Sequence, residues 1–150
     1  MGKRRRAREL ALKVLYRIDL TGESWDEVKG RLEEYDRVDG VRDFGSLLVE
    51  AVLDHRDELD GILTETAENW RIDRMALLDR NVLRLALAEY LVIGETPRAV
   101  VIDEAVEIAG TFSTEGSGAF VNGILDRIFR NRNAGELGGS PAAEEGPAGR

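Results

Sequence analysis

Met75-Ala-Leu-Leu-Asp-Arg-Asn-Val-Leu-Arg-Leu-Ala-Leu-Ala-Glu-Tyr-Leu-Val-Ile93 is the most apolar stretch of the chain, and its reading decides the fold. At 100° per residue, Leu78, Val82, Leu83, Leu85, Ala86, Leu87, Ala88, Leu91 and Val92 surround nearly the whole helix. A helix that is apolar all round belongs at the centre of a bundle. Asp79, Arg80, Arg84 and Glu89 interrupt it, so it does not read as a membrane span. Asp79 can cap a helix that starts at Arg80, and Gly94 is placed to end it.

Outward on the C-terminal side, Thr96-Pro97 marks a new start, with Thr as cap and Pro where a missing amide costs little. Val100-Val101-Ile102 has strand propensity, but Val101, Ala105, Ile108, Ala109 and Phe112 form a helical stripe that overrules it. Ser113 to Gly118 reads as a polar loop. A last helix follows from about Gly118, with Phe120, Val121, Ile124, Leu125 and Ile128 inward. Asn122-Gly123 would usually signal a hairpin. Inside this helical pattern, Gly123 instead suggests close approach by a neighbouring helix. From Asn133 to Arg150 the chain is rich in Gly, Ala, Glu and Pro, and we expect a disordered acidic tail there, with residues 1–132 as the folded domain.

Outward on the N-terminal side, Leu59, Ile62, Leu63 and Thr66 give a fourth helix running towards Trp70. Val41, Phe44, Leu47, Leu48, Ala51, Val52 and His55 give a third. Ser24-Trp25-Asp26-Glu27 is a capping box opening a second helix to about Tyr35. The first helix runs from Lys3 to a glycine stop near Gly22, with Ala7, Leu10, Ala11, Val14, Leu15 and Ile18 on its apolar face. No pair of alternating strands occurs, so the fold class is all-α.

That first helix is electrostatically unlike the rest. Residues 3–17 hold seven Lys or Arg and one acid, Glu9. The chain carries 21 basic and 29 acidic residues, net −8; the surplus of six cations at the front leaves fourteen net negative charges on the remainder. Arg6, Lys13 and Arg17 share a stripe with Tyr16 beside it. Cations neutralise phosphates and an aromatic ring stacks on an unpaired base, so this face is a candidate nucleic-acid footprint; a merely solvated face is the alternative. Tyr16 either stacks a base or packs on the second helix. Phe112, at a helix end, is either core or a contact to RNA or a partner.

Enzyme readings find little support. There is no Cys, no GxSxG, no HExxH and no P-loop. His55, on an apolar stripe, reads as a packed or helix-end residue. Asp103, Glu104 and Glu107 read as a solvated acidic helix face rather than a metal site, and Gly116-Ser117-Gly118 as a turn with a helix cap. Trp25 and Trp70 read as core anchors. No cofactor or metal is expected. The basic N-terminus lacks an uninterrupted apolar h-region, so the expectation is a cytoplasmic protein with no membrane contact.

Three blocks of sequence then resemble one family. Arg4-Arg5-Arg6-Ala7-Arg8-Glu9 with Leu15-Tyr16, and Asp79-Arg80-Asn81-Val82-Leu83-Arg84-Leu85-Ala86, are the first two. The third is Pro97-Arg98-Ala99-Val100-Val101-Ile102-Asp103-Glu104-Ala105-Val106-Glu107-Ile108-Ala109, with Phe112-Ser113 and Phe120-Val121-Asn122-Gly123-Ile124-Leu125-Asp126 behind it. In order, over about residues 4–130, they resemble the NusB family of bacterial transcription antitermination factors.

The resemblance implies about seven helices in two small bundles packed across each other. It implies binding of the single-stranded boxA element of ribosomal RNA leaders, together with the small-subunit ribosomal protein that doubles as NusE, inside an RNA polymerase antitermination complex. RNA contacts would fall on Arg4, Arg5, Arg6, Arg8, Lys13, Tyr16 and Phe112, and the NusE surface on Asp79 and Arg80. In some relatives the loop between the last two helices carries an acid and then a basic residue before Phe-Val-Asn-Gly, where this chain has Gly116 and Ala119. Two other readings compete: an RNA-targeting accessory domain of an rRNA cytosine methyltransferase, and a helical adaptor that binds no RNA. A homodimer that hides the basic helix is a further expectation.

Overall fold

The computed structural model describes residues 2–67 and 74–138. They form seven α-helices, with no strand among the described residues: α1 (Lys3–Thr21), α2 (Trp25–Lys29), α3 (Val41–Asp54), α4 (Arg56–Thr66), α5 (Leu77–Leu87), α6 (Arg98–Phe112) and α7 (Ser117–Phe129). Trp70 and the connection at 71–73 lie outside the described residues, as does the tail beyond Gly138.

The all-apolar stretch is the hub. Helix α5 and the π-helical turn that prolongs it, Ala88–Ile93, touch α1, α3, α4, α6 and α7, and every residue from Asn81 to Leu91 is buried. Helices α1 and α3 pack together on one side and α6 with α7 on the other. At Gly45 in α3 a side chain would meet Leu10 at 2.8 Å and the Ala7 carbonyl at 3.4 Å, so the glycine sets how closely α1 and α3 approach.

Several local expectations need correction. The second helix stops at Lys29 and resumes only as a 3-10 turn, Leu32–Glu34, because Gly30 caps α2; the Ser24–Glu27 capping box does form. Helix α5 starts at Leu77, so Asp79 sits inside the first turn and does not cap it. Thr96 does not cap α6, which begins at Arg98; its hydroxyl donates to Glu89 at 2.7 Å instead. Leu47 points outward, 48% exposed, while Val49 takes the buried place. Gly123 faces open space; in α7 the close approach is at Gly118, against Val106.

The π turn also explains the position of residues 135–138. Its closing bond runs from the Gly94 amide to the Glu89 carbonyl, which leaves the carbonyls of Tyr90 and Leu91 without a partner in the helix. The amides of Gly135 and Leu137 donate to them, each at 2.8 Å. Residues 133–138, expected to be disordered, therefore pack on the end of the central helix.

Candidate nucleic-acid interface

Helix α1 opens with four cations, has no acid in its first turn and no side-chain cap at Gly2. Positive charge at a helix N-terminus opposes the macrodipole. Helix stability therefore does not account for Lys3, Arg4, Arg5 and Arg6, and the structure shows where each one goes.

Successive residues of a helix diverge by 100°, so the basic run cannot face one ligand with all its members. Arg4 is exposed and turns to α3, its guanidinium carbon 3.8 Å from the centre of the Phe44 ring. Arg5 turns to α6, where Nε and Nη2 donate to the two carboxylate oxygens of Glu104, the second at 2.9 Å, and Nη1 lies 3.7 Å from Glu107. Arg6 turns to the loop before α3 and holds Asp36 through two bonds of 2.8 and 3.0 Å. These contacts hold the Glu104 and Asp36 carboxyls below their ordinary range, chiefly through the hydrogen bonds from Arg5 and Arg6.

Arg8 corrects the sequence reading. It is 6% exposed, and its Nε and Nη2 each donate to Glu89 at 2.7 Å, while Nη1 reaches Glu104 at 3.2 Å. A guanidinium closed in by two carboxylates at this depth has no face left for phosphate; it fastens α1 to the centre of the bundle. Glu104 is corrected with it: shared between Arg5 and Arg8, it is a half-buried ion-pair partner and not part of a solvated acidic face.

Farther along α1, Lys13 is exposed, with Nζ 5.6 Å from the centre of the Phe112 ring, within cation–π range. Tyr16 lies one turn on, half-buried, its hydroxyl in no hydrogen bond among the described residues. Phe112 is half-buried against the core and ends α6. Two distant stretches thus bring Arg5, Lys13, Tyr16 and Phe112 to the α1–α6 side. Arg4 and Arg6 lie off that side, on either flank.

The Asp79–Arg80 pair is elsewhere, at the start of α5. Asp79 is 8% exposed; its Oδ1 has no hydrogen-bond partner among the described residues, and neither has Arg80 Nε. Asp79 borders an open recess of about 310 Å³ with Arg74, Thr114, Ser117 and Phe120. Buried polar atoms without partners are rare in folded proteins. His55 closes α3 and pairs with Glu58 at 2.7 Å, in keeping with a helix-end role. No group of three or more His, Asp or Glu side chains among the described residues could hold a metal, and no helix there is long and apolar enough to cross a membrane.

Sequence reasoning missed Glu89, Glu104, Asp36 and Phe44. Glu89 had a signal: a carboxylate inside a helix that is otherwise apolar all round needs a buried partner. Asp36 lies in an irregular stretch and gave none.

Fold and site together define a small all-helical protein with a cationic and aromatic face, a class suited to holding a partner rather than transforming a substrate. A sequence model of the NusB family matches residues 5–130, and the chain belongs to that family. The transcription antitermination protein NusB of Desulforapulum autotrophicum is 43% identical over 141 residues, covering 91% of this chain and 99% of its own length. That of Myxococcus xanthus is 44% identical over 134 residues, covering 85% and 95%. Among solved structures, T. maritima NusB superposes with a TM-score of 0.78 at 34% identity, covering 89% of this chain and 94% of its own. A chain from the complex of NusB and NusE with dsRNA superposes at 0.79 with 30% identity, covering 88% and 99%. The relatives are named as antitermination factors, which are not enzymes.

Proposed function

We propose that the chain binds single-stranded boxA RNA of ribosomal RNA leaders jointly with NusE, and so acts without catalysis in an RNA polymerase antitermination complex in the cytoplasm. The observation that carries this reading is the meeting of Lys13 with Phe112 on the side of α1 that carries Tyr16, which sets a cation in no ion pair among the described residues next to a ring able to stack a base. A solved complex of NusB and NusE with dsRNA at 30% identity supports the pairing of partners. The acidic remainder of the chain suits a basic ribosomal protein and repels RNA away from the footprint.

Titration of boxA RNA with and without NusE tests the reading. Lys13→Ala should weaken binding and lower the slope of log affinity against log salt by roughly 0.7, the share of one phosphate on a single strand. Phe112→Leu should weaken binding by about 1 kcal/mol or more through lost stacking, with little change in slope. Unchanged affinity in both variants would remove this face as the RNA site.

For NusE the recess beside Asp79 is the proposed contact. An incoming donor would satisfy Asp79 Oδ1. Asp79→Ala should weaken NusE capture with little fall in melting temperature, since Asp79 Oδ1 makes no hydrogen bond among the described residues that the change would break. A fall in melting temperature with NusE binding intact would contradict it.

A further inference from the structure

At the far end of the hub helix from Asp79, roughly 20 Å along its axis, an open groove of about 480 Å³ runs between the C-terminal half of α3, the π turn and residues 135–138. Its floor is apolar: Leu47, 48% exposed, then Ala51 and the half-buried Val92 and Ile93. One wall is bare backbone. Gly135 and Gly138 form it, and at Gly138 a side chain would run into the Val92 carbonyl, so the chain lies flat on the π turn. The charged groups of the lining are Glu50, Asp54, Glu95 and the titratable His55, with no Lys or Arg among its described residues.

This negative charge is not what the helices themselves need. Helix α3 and the π turn both end at the groove, and neither has a basic residue in its last turn. A helix C-terminus carries the negative end of the macrodipole and is stabilised by cations. Here Asp54 is the last residue of α3, and Glu95 follows the π turn by two positions. Helix stability therefore disfavours these charges, as it does with opposite sign at the start of α1. Asp54 and Glu95 are exposed and in no ion pair among the described residues. Glu50 is fixed on the rim by Lys29 at 3.0 Å and by Trp25 Nε1 at 3.1 Å, while His55 pairs with Glu58.

An occupant of this groove must bring positive charge and an apolar side chain together. RNA does not: its phosphates would face three carboxylates and two negative helix ends. A metal ion does not fit either, since no group of three or more His, Asp or Glu side chains among the described residues could hold one. The chain beyond Gly138 brings two acids, Glu144 and Glu145, against one cation, Arg150. A short extended peptide matches the size and shape, with main chain along the glycine wall and alternate side chains on the floor and the rim. We propose that the groove docks a basic segment of a partner protein, with Lys or Arg on Asp54 and Glu95 and an aliphatic side chain between them on Leu47 and Val92. The groove lies on the α3 side of the molecule and at the opposite end of the hub from the Asp79 recess. A protein held here therefore adds to a complex formed at the other two surfaces instead of competing for them.

The test titrates the full chain, without RNA or NusE, with a blocked heptapeptide that alternates lysine with leucine and isoleucine. One control peptide has glutamate for lysine, a second has serine for leucine and isoleucine. The first peptide should bind and shift backbone amide resonances at 47–55, 92–95 and 135–138. The glutamate control should not bind, and the serine control should bind about tenfold more weakly for want of apolar burial. Asp54→Asn with Glu95→Gln, both at exposed positions, should weaken the first peptide about five- to tenfold and flatten its salt dependence. Leu47→Ser should weaken it about fivefold and leave the salt dependence as it was. Arg150→Ala should change nothing. No binding by wild type, equal binding of the serine control, an unchanged affinity in the double variant, or shifts that fall on α4 instead each overturn the proposal. So do tighter binding in Arg150→Ala, which would put the chain's own tail in the groove, and a salt-sensitive dimer lost in Asp54→Asn, which would give it to a second copy.

Discussion

Arg4 and Arg8 stand one helical turn apart on α1, share their chemistry and come from the same run of basic residues, yet they do opposite work. Arg8 lies over the centre of the bundle, where α5 presents Glu89 and α6 presents Glu104, and both close on it. Arg4 lies past the edge of that centre, meets an aromatic ring and keeps its charge uncompensated. What separates them is depth along the helix axis relative to the neighbouring helices. A basic motif at the start of a docked helix is therefore part anchor and part interface: two carboxylates close on Arg8, carboxylates at the surface hold Arg5 and Arg6, and none among the described residues holds Arg4.

The strongest way to break that comparison is to remove the anchor. Arg8→Ala leaves Glu89, 2% exposed, as a buried carboxylate to which Thr96 alone among the described residues donates a side-chain hydrogen bond. Breaking a buried pair by deleting one partner costs about 3–5 kcal/mol, which urea denaturation should show as a lower midpoint at nearly constant slope. Replacing both, Arg8→Met with Glu89→Leu, should recover most of that loss, because the desolvation of two charges disappears together. Arg4→Ala in the same assay should change stability by less than about 1 kcal/mol, the worth of an exposed cation–π contact. If Arg8→Ala is as mild as Arg4→Ala, the anchor reading fails and Arg8 returns to the list of residues available to RNA.

Against this contrast, the legible part of the sequence was whatever depends on one helix at a time. Periodicity located all seven helices, and the all-apolar stretch at 75–93 identified the hub, because burial on every side leaves a mark that needs no partner to be read. The family blocks pointed to the same architecture, and membership is shown by the match over residues 5–130. Contacts between helices were not legible. Nothing in Arg4-Arg5-Arg6-Ala7-Arg8 says that Glu104, ninety-nine positions beyond Arg5, will face it, so four arginines were read as one footprint. Pairing also redirected groups assigned to local roles: Thr96 left its cap for Glu89, and residues 135–138 were drawn onto the π turn by two carbonyls that a regular helix would have occupied. The Lys13–Phe112 pairing was half visible, since both residues were singled out but not their meeting.

Between anchor and interface stands Glu104, and titrating it sharpens the boundary with the smallest expected effect. Its carboxyl is held below the ordinary value of 4.5, chiefly by the hydrogen bond from Arg5 and further by Arg8. A carboxyl with a lowered native pKa binds its proton more readily in the unfolded chain. Its stabilisation is complete above the unfolded value and is lost as pH falls through the native one. Stability of the wild type should thus decline below about pH 4.5, with Asp36, lowered by Arg6, adding to the same limb. Glu104→Gln should cost about 1 kcal/mol at neutral pH, the scale of a partly exposed ion pair, and flatten the acid limb. Glu107→Gln, at an exposed residue 3.7 Å from Arg5, should leave both unchanged. An acid limb that keeps its full steepness in Glu104→Gln would mean that Arg5 is not held by this carboxylate in solution, and Arg5 would then belong with Arg4 among the uncompensated cations.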